Sequence, residues 1–253
     1  MAELRPNKLK HKLANDEVVT IITGPIDANL IEFFGEIGFD SAWIDSEHGP
    51  HDFNDLANLT RACDIWGMTS LVRVNLNVQG VVYRTLDQGA QGIIMPHVNT
   101  AEEARAVVDS AKFYPDGHRG SFTSRQGLGV EGYFQKANNE TMVVVMIEDI
   151  VAIENLPEIL EVDNIDVYYV APGDLAQSMG LHGQRNHPKV INAMHNAIEQ
   201  ISSAGKISGI PPEPFESTLD YIDMGVKFFV VPWTEWAKNG AKDYISMIDN
   251  HSS

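Results

Sequence analysis

Eight short runs dominated by Val, Ile and other apolar residues punctuate the chain, without the strict apolar–polar alternation of a half-exposed sheet. Strands buried on both faces have this pattern, as in parallel sheets. The runs predict strands over 18–23, 41–45, 70–74, 92–96, 142–148, 167–171, 206–210 and 227–231. Between them lie segments with helical spacing of apolar residues, at 29–37, 52–66, 78–88, 100–113, 152–160, 188–204 and 216–224. Thr100-Ala-Glu-Glu103 has the form of a capping box. Gly89, Gly205 and Gly225 stand where helices must stop before a strand, the usual place for a left-handed residue. Eight strand–helix alternations predict a closed (β/α)8 TIM barrel, an α/β fold in one domain over 1–253; an open doubly wound sheet is the alternative.

Two segments break the rhythm. Residues 114–139 form a long connection rich in Gly, Ser, Arg and Gln. Long ordered connections are often lids or binding loops, and that is the expectation here. Residues 233–253 predict a helix over 235–248 with no later element to pack on, a tail expected to dock on a neighbouring subunit.

Composition narrows the possibilities. With 253 residues, 43% of them hydrophobic, the chain can bury one large core, and barrels reach this length as a single unit. A net charge of −17 disfavours nucleic acid or an anionic membrane surface as partner. No apolar stretch approaches the roughly 18 residues needed to cross a bilayer, and the opening residues lack the apolar core of a signal peptide. Cys63 is the single cysteine, which excludes an internal disulfide and suits a reducing compartment. The expectation is a soluble cytoplasmic protein.

Candidate chemistry sits at the ends of four strands. Trp43-Ile-Asp-Ser-Glu-His-Gly49, Leu71-Val-Arg-Val-Asn75, Val145-Met-Ile-Glu-Asp149 and Val170-Ala-Pro-Gly-Asp-Leu175 each carry an apolar run into charged or ionisable residues. In a parallel barrel, these ends gather at one rim. Glu148 alone could be a solvated carboxylate, and Asp174 a helix N-cap. On adjacent strands they would repel unless a proton or cation lay between them. Two carboxylates would leave waters or substrate oxygens on the other positions of a hard divalent ion. The Pro172-Gly173-Asp174 turn offers backbone amides to an anion, with Gly173 permitting close approach. His48, flanked by Asp45 and Glu47, is a candidate general base needing a carboxylate partner. Arg73 follows apolar residues, where a guanidinium must be paired or aimed at a ligand. Asp87 near a helix end opposes the macrodipole, which hints at a partner. His97 and Arg119 are weaker candidates, for which a structural role is favoured. No Gly-x-Gly-x-x-Gly or Walker-type pattern follows a strand, and no Gly-x-Ser-x-Gly occurs, so nucleotide binding and serine hydrolysis lack support.

The ordered set resembles the class II, metal-dependent pyruvate aldolases of the HpcH/HpaI type, which act on 4-hydroxy-2-oxo acids. The likeness runs from about Asn7 to Asp249. It rests on Asp45-Ser-Glu-His-Gly49, Val72-Arg-Val74, Leu86-Asp-Gln-Gly-Ala-Gln-Gly92, Tyr114-Pro-Asp-Gly-His-Arg-Gly120, Ile147-Glu148 and Pro172-Gly-Asp-Leu-Ala-Gln-Ser-Met-Gly180. The resemblance implies a barrel whose C-terminal helix is swapped with a neighbour, in a homo-oligomer that is a hexamer built as a trimer of dimers. It implies a metal (Mg²⁺, Mn²⁺ or Co²⁺) on Glu148 and Asp174, His48 as base, Arg73 as stabiliser of the transition state, and Asp87 as the acid raising the histidine's basicity. Gly173 and Asp174 match the amides that hold the oxo-acid carboxylate. The implied reaction is reversible cleavage of a 4-hydroxy-2-oxo acid to pyruvate, or hydroxypyruvate, and an aldehyde. His48 would be supported in it by Asp45 or Asp87. Met146 stands where the family often has a substrate-contacting glutamine, Ala171 replaces a common glycine, and the loops beginning at Ser208 and Val231 differ. An acyl-CoA lyase of the malyl-CoA kind and a non-catalytic metabolite-binding barrel are the alternatives.

Overall fold

The computed structural model describes residues 2–251. Strands β1 (Val19–Thr23), β2 (Ser41–Asp45), β3 (Thr69–Arg73), β4 (Gly92–Met95), β5 (Met142–Ile147), β6 (Val167–Val170), β7 (Ser208–Ile210) and β8 (Phe228–Pro232) pair in chain order, all parallel. β8 closes on β1, with Val19 opposite Phe228 and Thr23 opposite Pro232. This closure excludes the open doubly wound alternative and makes the fold a (β/α)8 barrel.

Strand period sorts the core into two layers. Val19, Ile21, Trp43, Leu71, Ile94, Val144, Met146, Tyr169, Phe228 and Val230 fill the barrel interior. Ile22, Ile44, Val72, Ile93, Val145, Val170 and Phe229 face outward into the strand–helix layer. The interior alternates small with large. A Cβ on Gly92 would lie 2.6 Å from Leu71 Cδ2, and one on Gly209 2.7 Å from Phe228 Cδ1.

The helices between strands follow the sequence expectation closely: α2 (Ala28–Ile37), α3 (Phe53–Trp66), α4 (Gln79–Asp87), α5 (Ala101–Ala111), α10 (Pro188–Ser203) and α11 (Thr218–Asp223). The capping box forms, with Thr100 Oγ1 accepting from the Glu103 amide and Glu103 Oε2 from the Thr100 amide. The expected helix over 152–160 is two, α7 (Ile150–Glu154) and α8 (Leu156–Leu160). Pro157 is the reason: it cannot donate a backbone hydrogen bond and sits in the first turn of α8.

Two helices escaped the sequence reading, α1 (Lys8–Ala14) and α6 (Tyr133–Glu140); α9 (Pro172–Ser178) starts where a helix start was expected, with Ala171 rather than Asp174 at the N-cap. α1 plugs the end where the strands begin, driving Leu9 and Leu13 into the interior cluster. Buried Asn7 anchors it, donating to the Gln91 and Glu140 carbonyls while accepting from Thr69 Oγ1. The connection over 114–139 returns from α5 to β5, so it finishes at this same closed end rather than at the rim where strands finish. Arg125 ties it down, pairing with Asp64 at 2.6 Å and donating to Thr60 Oγ1. At its start the carbonyl of His118 accepts from Gln79 Nε2, at the first residue of α4. The last helix, α12 (Trp233–His251), has no buried residue. Its first turn rests on the barrel through Trp233 against Phe34 and Trp236 against Phe39 and Phe215.

Candidate active site

Four strand ends build the site. On β2, Asp45 accepts from the backbone amides of Glu47 (3.0 Å) and His48 (3.3 Å), folding the chain back over the rim. Gly49 is required there, because a Cβ would collide with the Asp45 carbonyl oxygen. The same carboxylate receives Arg73 from β3 in a fork, Nε to Oδ1 at 2.9 Å and Nη2 to Oδ2 at 2.5 Å. The third guanidinium nitrogen, Nη1, lies 3.0 Å from Glu47 Oε2. Trp43, one inward position below Asp45, carries the guanidinium over its ring at 5.5 Å.

One guanidinium is shared between two carboxylates in this network. Burial pushes Asp45 up, but the Arg73 hydrogen bond and charge, with the two loop amides, outweigh it and hold the carboxyl below its usual range. Burial works against the Arg73 cation, and Asp45, Glu47 and Glu148 more than restore it. Arg73 is therefore a fixed positive charge at the rim, oriented by a two-point clamp.

Glu148 continues the inward face of β5 beyond Met146, and is almost fully buried. Its Oε1 accepts from the His97 amide at 2.8 Å, while Oε2 is buried with no hydrogen-bond partner. Burial raises the Glu148 pKa, and the charges of Asp174 and Glu47 raise it further, against the lowering effect of the His97 amide and ring. Asp174 lies in the first turn of α9, directly after β6. Two crowded carboxylates, one with an orphaned buried oxygen, are the donor set a hard divalent cation satisfies. Among the described residues no group of three or more His, Cys, Asp or Glu is arranged to hold a metal ion. Gly173, beside Asp174, is exposed, and a Cβ there would meet nothing within 4 Å. The backbone at this turn is open to a ligand.

Met146 and Tyr169 floor the site from the interior cluster. Burial raises the Tyr169 phenol, with Arg73 opposing and Glu148 adding to the shift, so Tyr169 senses both charged groups while staying protonated.

His48 is exposed at the rim, its Nε2 3.6 Å from Glu47 Oε2. Neither expected carboxylate faces its ring. Asp45 touches the His48 backbone and is engaged by Arg73. Asp87 is carried to the far end of α4, towards the start of β4, and pairs with Arg119 Nη2 at 2.8 Å. The reason is topological: a helix after a barrel strand runs back, so a residue in its last turn leaves the catalytic rim. Arg119 accordingly holds the connection, its guanidinium buried over Phe113.

The structure brings Glu47, named only as a flank of His48, and His97, a weaker candidate of the sequence, into the network. Glu47 touches Arg73, His48 and His97, the last at 3.7 Å. His97 bridges to Glu148, Nδ1 to Oε1 at 3.4 Å, from a left-handed backbone (φ 52°). Glu47 was visible as a flanking carboxylate. For His97 the available signal was its place after Pro96 at a strand end, which does not reveal backbone handedness.

Residues 25–213 match the model of the HpcH/HpaI aldolase/citrate lyase family. The chain belongs to that family. Its members of known name include the 4-hydroxy-2-oxo-heptane-1,7-dioate aldolase of Klebsiella pneumoniae, 35% identical over 79% of this chain and 77% of that protein. The 2-keto-3-deoxy-L-rhamnonate aldolase of Escherichia coli K12 is 32% identical over 91% of this chain and 88% of its own length. Among solved structures, an HpcH/HpaI aldolase/citrate lyase family protein from Burkholderia cenocepacia superposes with TM-score 0.90 at 27% identity, over 96% of this chain and 99% of that one. As an HpcH/HpaI family member the chain is a carbon–carbon lyase, and its strand-end residues are where that chemistry has to be sought.

Proposed function

We propose that this chain is a divalent-metal-dependent aldolase that reversibly cleaves 4-hydroxy-2-oxo acids to pyruvate, or hydroxypyruvate, and an aldehyde. The observation that carries the reading is the meeting at one rim of a clamped arginine, an exposed histidine ring beside Glu47 and a carboxylate pair with an unsatisfied buried oxygen. The aldolases to which the chain is similar act on substrates of this class by name.

Glu148 and Asp174 would hold the cation, Mg²⁺, Mn²⁺ or Co²⁺, which when bound supplies positive charge beside the carboxylate and keto oxygens of the oxo acid. The amides of Gly173 and Asp174 receive the substrate carboxylate. Arg73 donates to the keto oxygen as negative charge develops there, a stabilisation realised mostly in the transition state. His48 removes the proton from the C4 hydroxyl. The C3–C4 bond then breaks, its electron pair passing into the enolate, and the aldehyde leaves. Protonation at C3 gives the free oxo acid; synthesis runs the steps in reverse. Asp45 orients Arg73, and Glu47 is the carboxylate beside His48 within one chain. Asp87 contributes here only if a neighbouring subunit delivers it. Met146 offers no hydrogen bond to substrate, so orientation falls to Arg73 and the backbone.

The chain works as one domain in a homo-oligomer, a hexamer built as a trimer of dimers with α12 exchanged between neighbours, in the cytoplasm and without nucleic-acid or membrane partners. The unburied α12 and the charge of −17 support this, and among the described residues no helix is long and apolar enough to cross a membrane.

The test is NMR of pyruvate, and separately of hydroxypyruvate, in D₂O with the protein, with and without divalent cation, followed by condensation against an aldehyde panel. Metal-dependent loss of the C3 proton signal, or condensation with any aldehyde, is the expected result. Silence in both assays would falsify the aldolase reading and favour a metabolite-binding barrel.

A further inference from the structure

Glu148 has two buried oxygens and unequal surroundings for them. Oε1 accepts the His97 amide at 2.8 Å; Oε2 has no partner. The amide reaches Oε1 from a residue at φ 52°, a left-handed conformation uncommon outside glycine that His, like Asn and Asp, adopts more readily than other side chains. Pro96 precedes His97 and β4 has ended at Met95, so the chain turns here without any sheet partner to dictate the turn. The imidazole itself is about half-exposed, and its contacts, 3.4 Å to Glu148 and 3.7 Å to Glu47, are longer than a good hydrogen bond. The backbone, not the ring, makes the tight contact.

We propose that His97 is a positioning residue of the cation site: its left-handed backbone aims an amide at Glu148 Oε1, so that Oε2 alone is presented to the divalent ion. This rests on Glu148 and Asp174 being the cation site. A carboxylate free at both oxygens can swing or chelate with both; one pinned by an amide is preset for a single bond. Partners that orient a ligand in this way commonly govern metal affinity by about 10–100-fold. The inference assigns the effect to backbone conformation, so it predicts an ordering of variants that does not follow side-chain chemistry. Glycine lacks the ring but adopts the left-handed turn freely, whereas valine, β-branched, resists it.

The experiment is Mn²⁺ binding to the whole protein, followed by electron paramagnetic resonance of the free ion, for wild type, His97→Gly, His97→Val and Glu148→Gln, with folding checked by circular dichroism. Expected is affinity within about twofold of wild type for His97→Gly, and a loss of about tenfold or more for His97→Val. If valine does not fold, alanine takes its place, with a smaller loss in the same direction. Wild-type affinity in the valine or alanine variant overturns the proposal. So does an equal loss in His97→Gly, which would give the role to the imidazole. Glu148→Gln keeps the two failures apart: wild-type affinity in that variant removes the cation site itself, and the proposal with it.

Discussion

At the scale of single residues, the site is a set of charges that burial makes expensive and neighbours make tolerable. Asp45 and Arg73 settle each other, and the pair is complete within the chain. Glu148 is not settled, because its carboxylate neighbours raise its pKa along with burial. Replacing it with Gln removes the charge but keeps the shape and the acceptor for the His97 amide. Glu148→Gln should therefore fold, with an unchanged or slightly higher Tm without metal, and lose metal-dependent turnover. Turnover persisting near wild-type level would take the metal away from this residue. Lys112 makes a second residue-scale case, remote from the site. Its Nζ is buried, donating to the Asn138 and Thr141 carbonyls, and burial lowers its pKa to about 8 from 10.5. Folded protein then loses this proton near pH 8 while unfolded chain keeps it to pH 10.5. The cost of burying the cation is full below about pH 8 and is relieved as pH rises from there towards 10.5. The difference in Tm between wild type and Lys112→Met should grow in favour of wild type across that window. A flat difference would mean the folded-state pKa is not lowered.

At the scale of elements, α1 is the piece whose importance its length conceals. Seven residues would not hold as an isolated helix. Leu9, fully buried, gives it a place in the barrel interior, and the Asn7 and Lys10 contacts to strand starts fix its angle. Leu9→Ala should cost about 2–5 kcal/mol in denaturant unfolding, the range for a buried large-to-small change. A loss below about 1 kcal/mol would show that α1 is loosely seated and that the interior does not need its plug. Elements also explain the roles of α4 and the 114–139 connection. The last turn of α4 lies at the end of the barrel where strands start, so Asp87 meets Arg119 of the connection inside the chain and not His48.

At the scale of the whole molecule, closure of eight strands puts Asp45, Arg73, Glu148 and Asp174 on one rim, while the opposite end is sealed by α1. Helix α12 has no fully buried residue, and only its first turn packs on the barrel. It exposes Trp236, Tyr244, Ile245 and Met247. Deleting residues 237–253 should leave the barrel folded by circular dichroism and reduce the assembly size in light scattering. An unchanged mass after that deletion would exclude α12 as the link between subunits.

The sequence by itself determined the strand positions, because parallel strands buried on both faces write continuous apolar runs, and β2 coincides with its predicted limits. It also determined that four charged strand ends share a rim, since that follows from counting strand–helix alternations. The closed barrel was legible in the eight alternations, and Pro157 was present in the sequence as a local breaker; tertiary structure decided that α1 fills the barrel floor. It likewise decided the partners. Asp45 goes to Arg73, Asp87 to Arg119, and His97 turns its amide to Glu148, because contacts between residues 28, 32 and 51 positions apart depend on which side of the barrel each chain segment returns to.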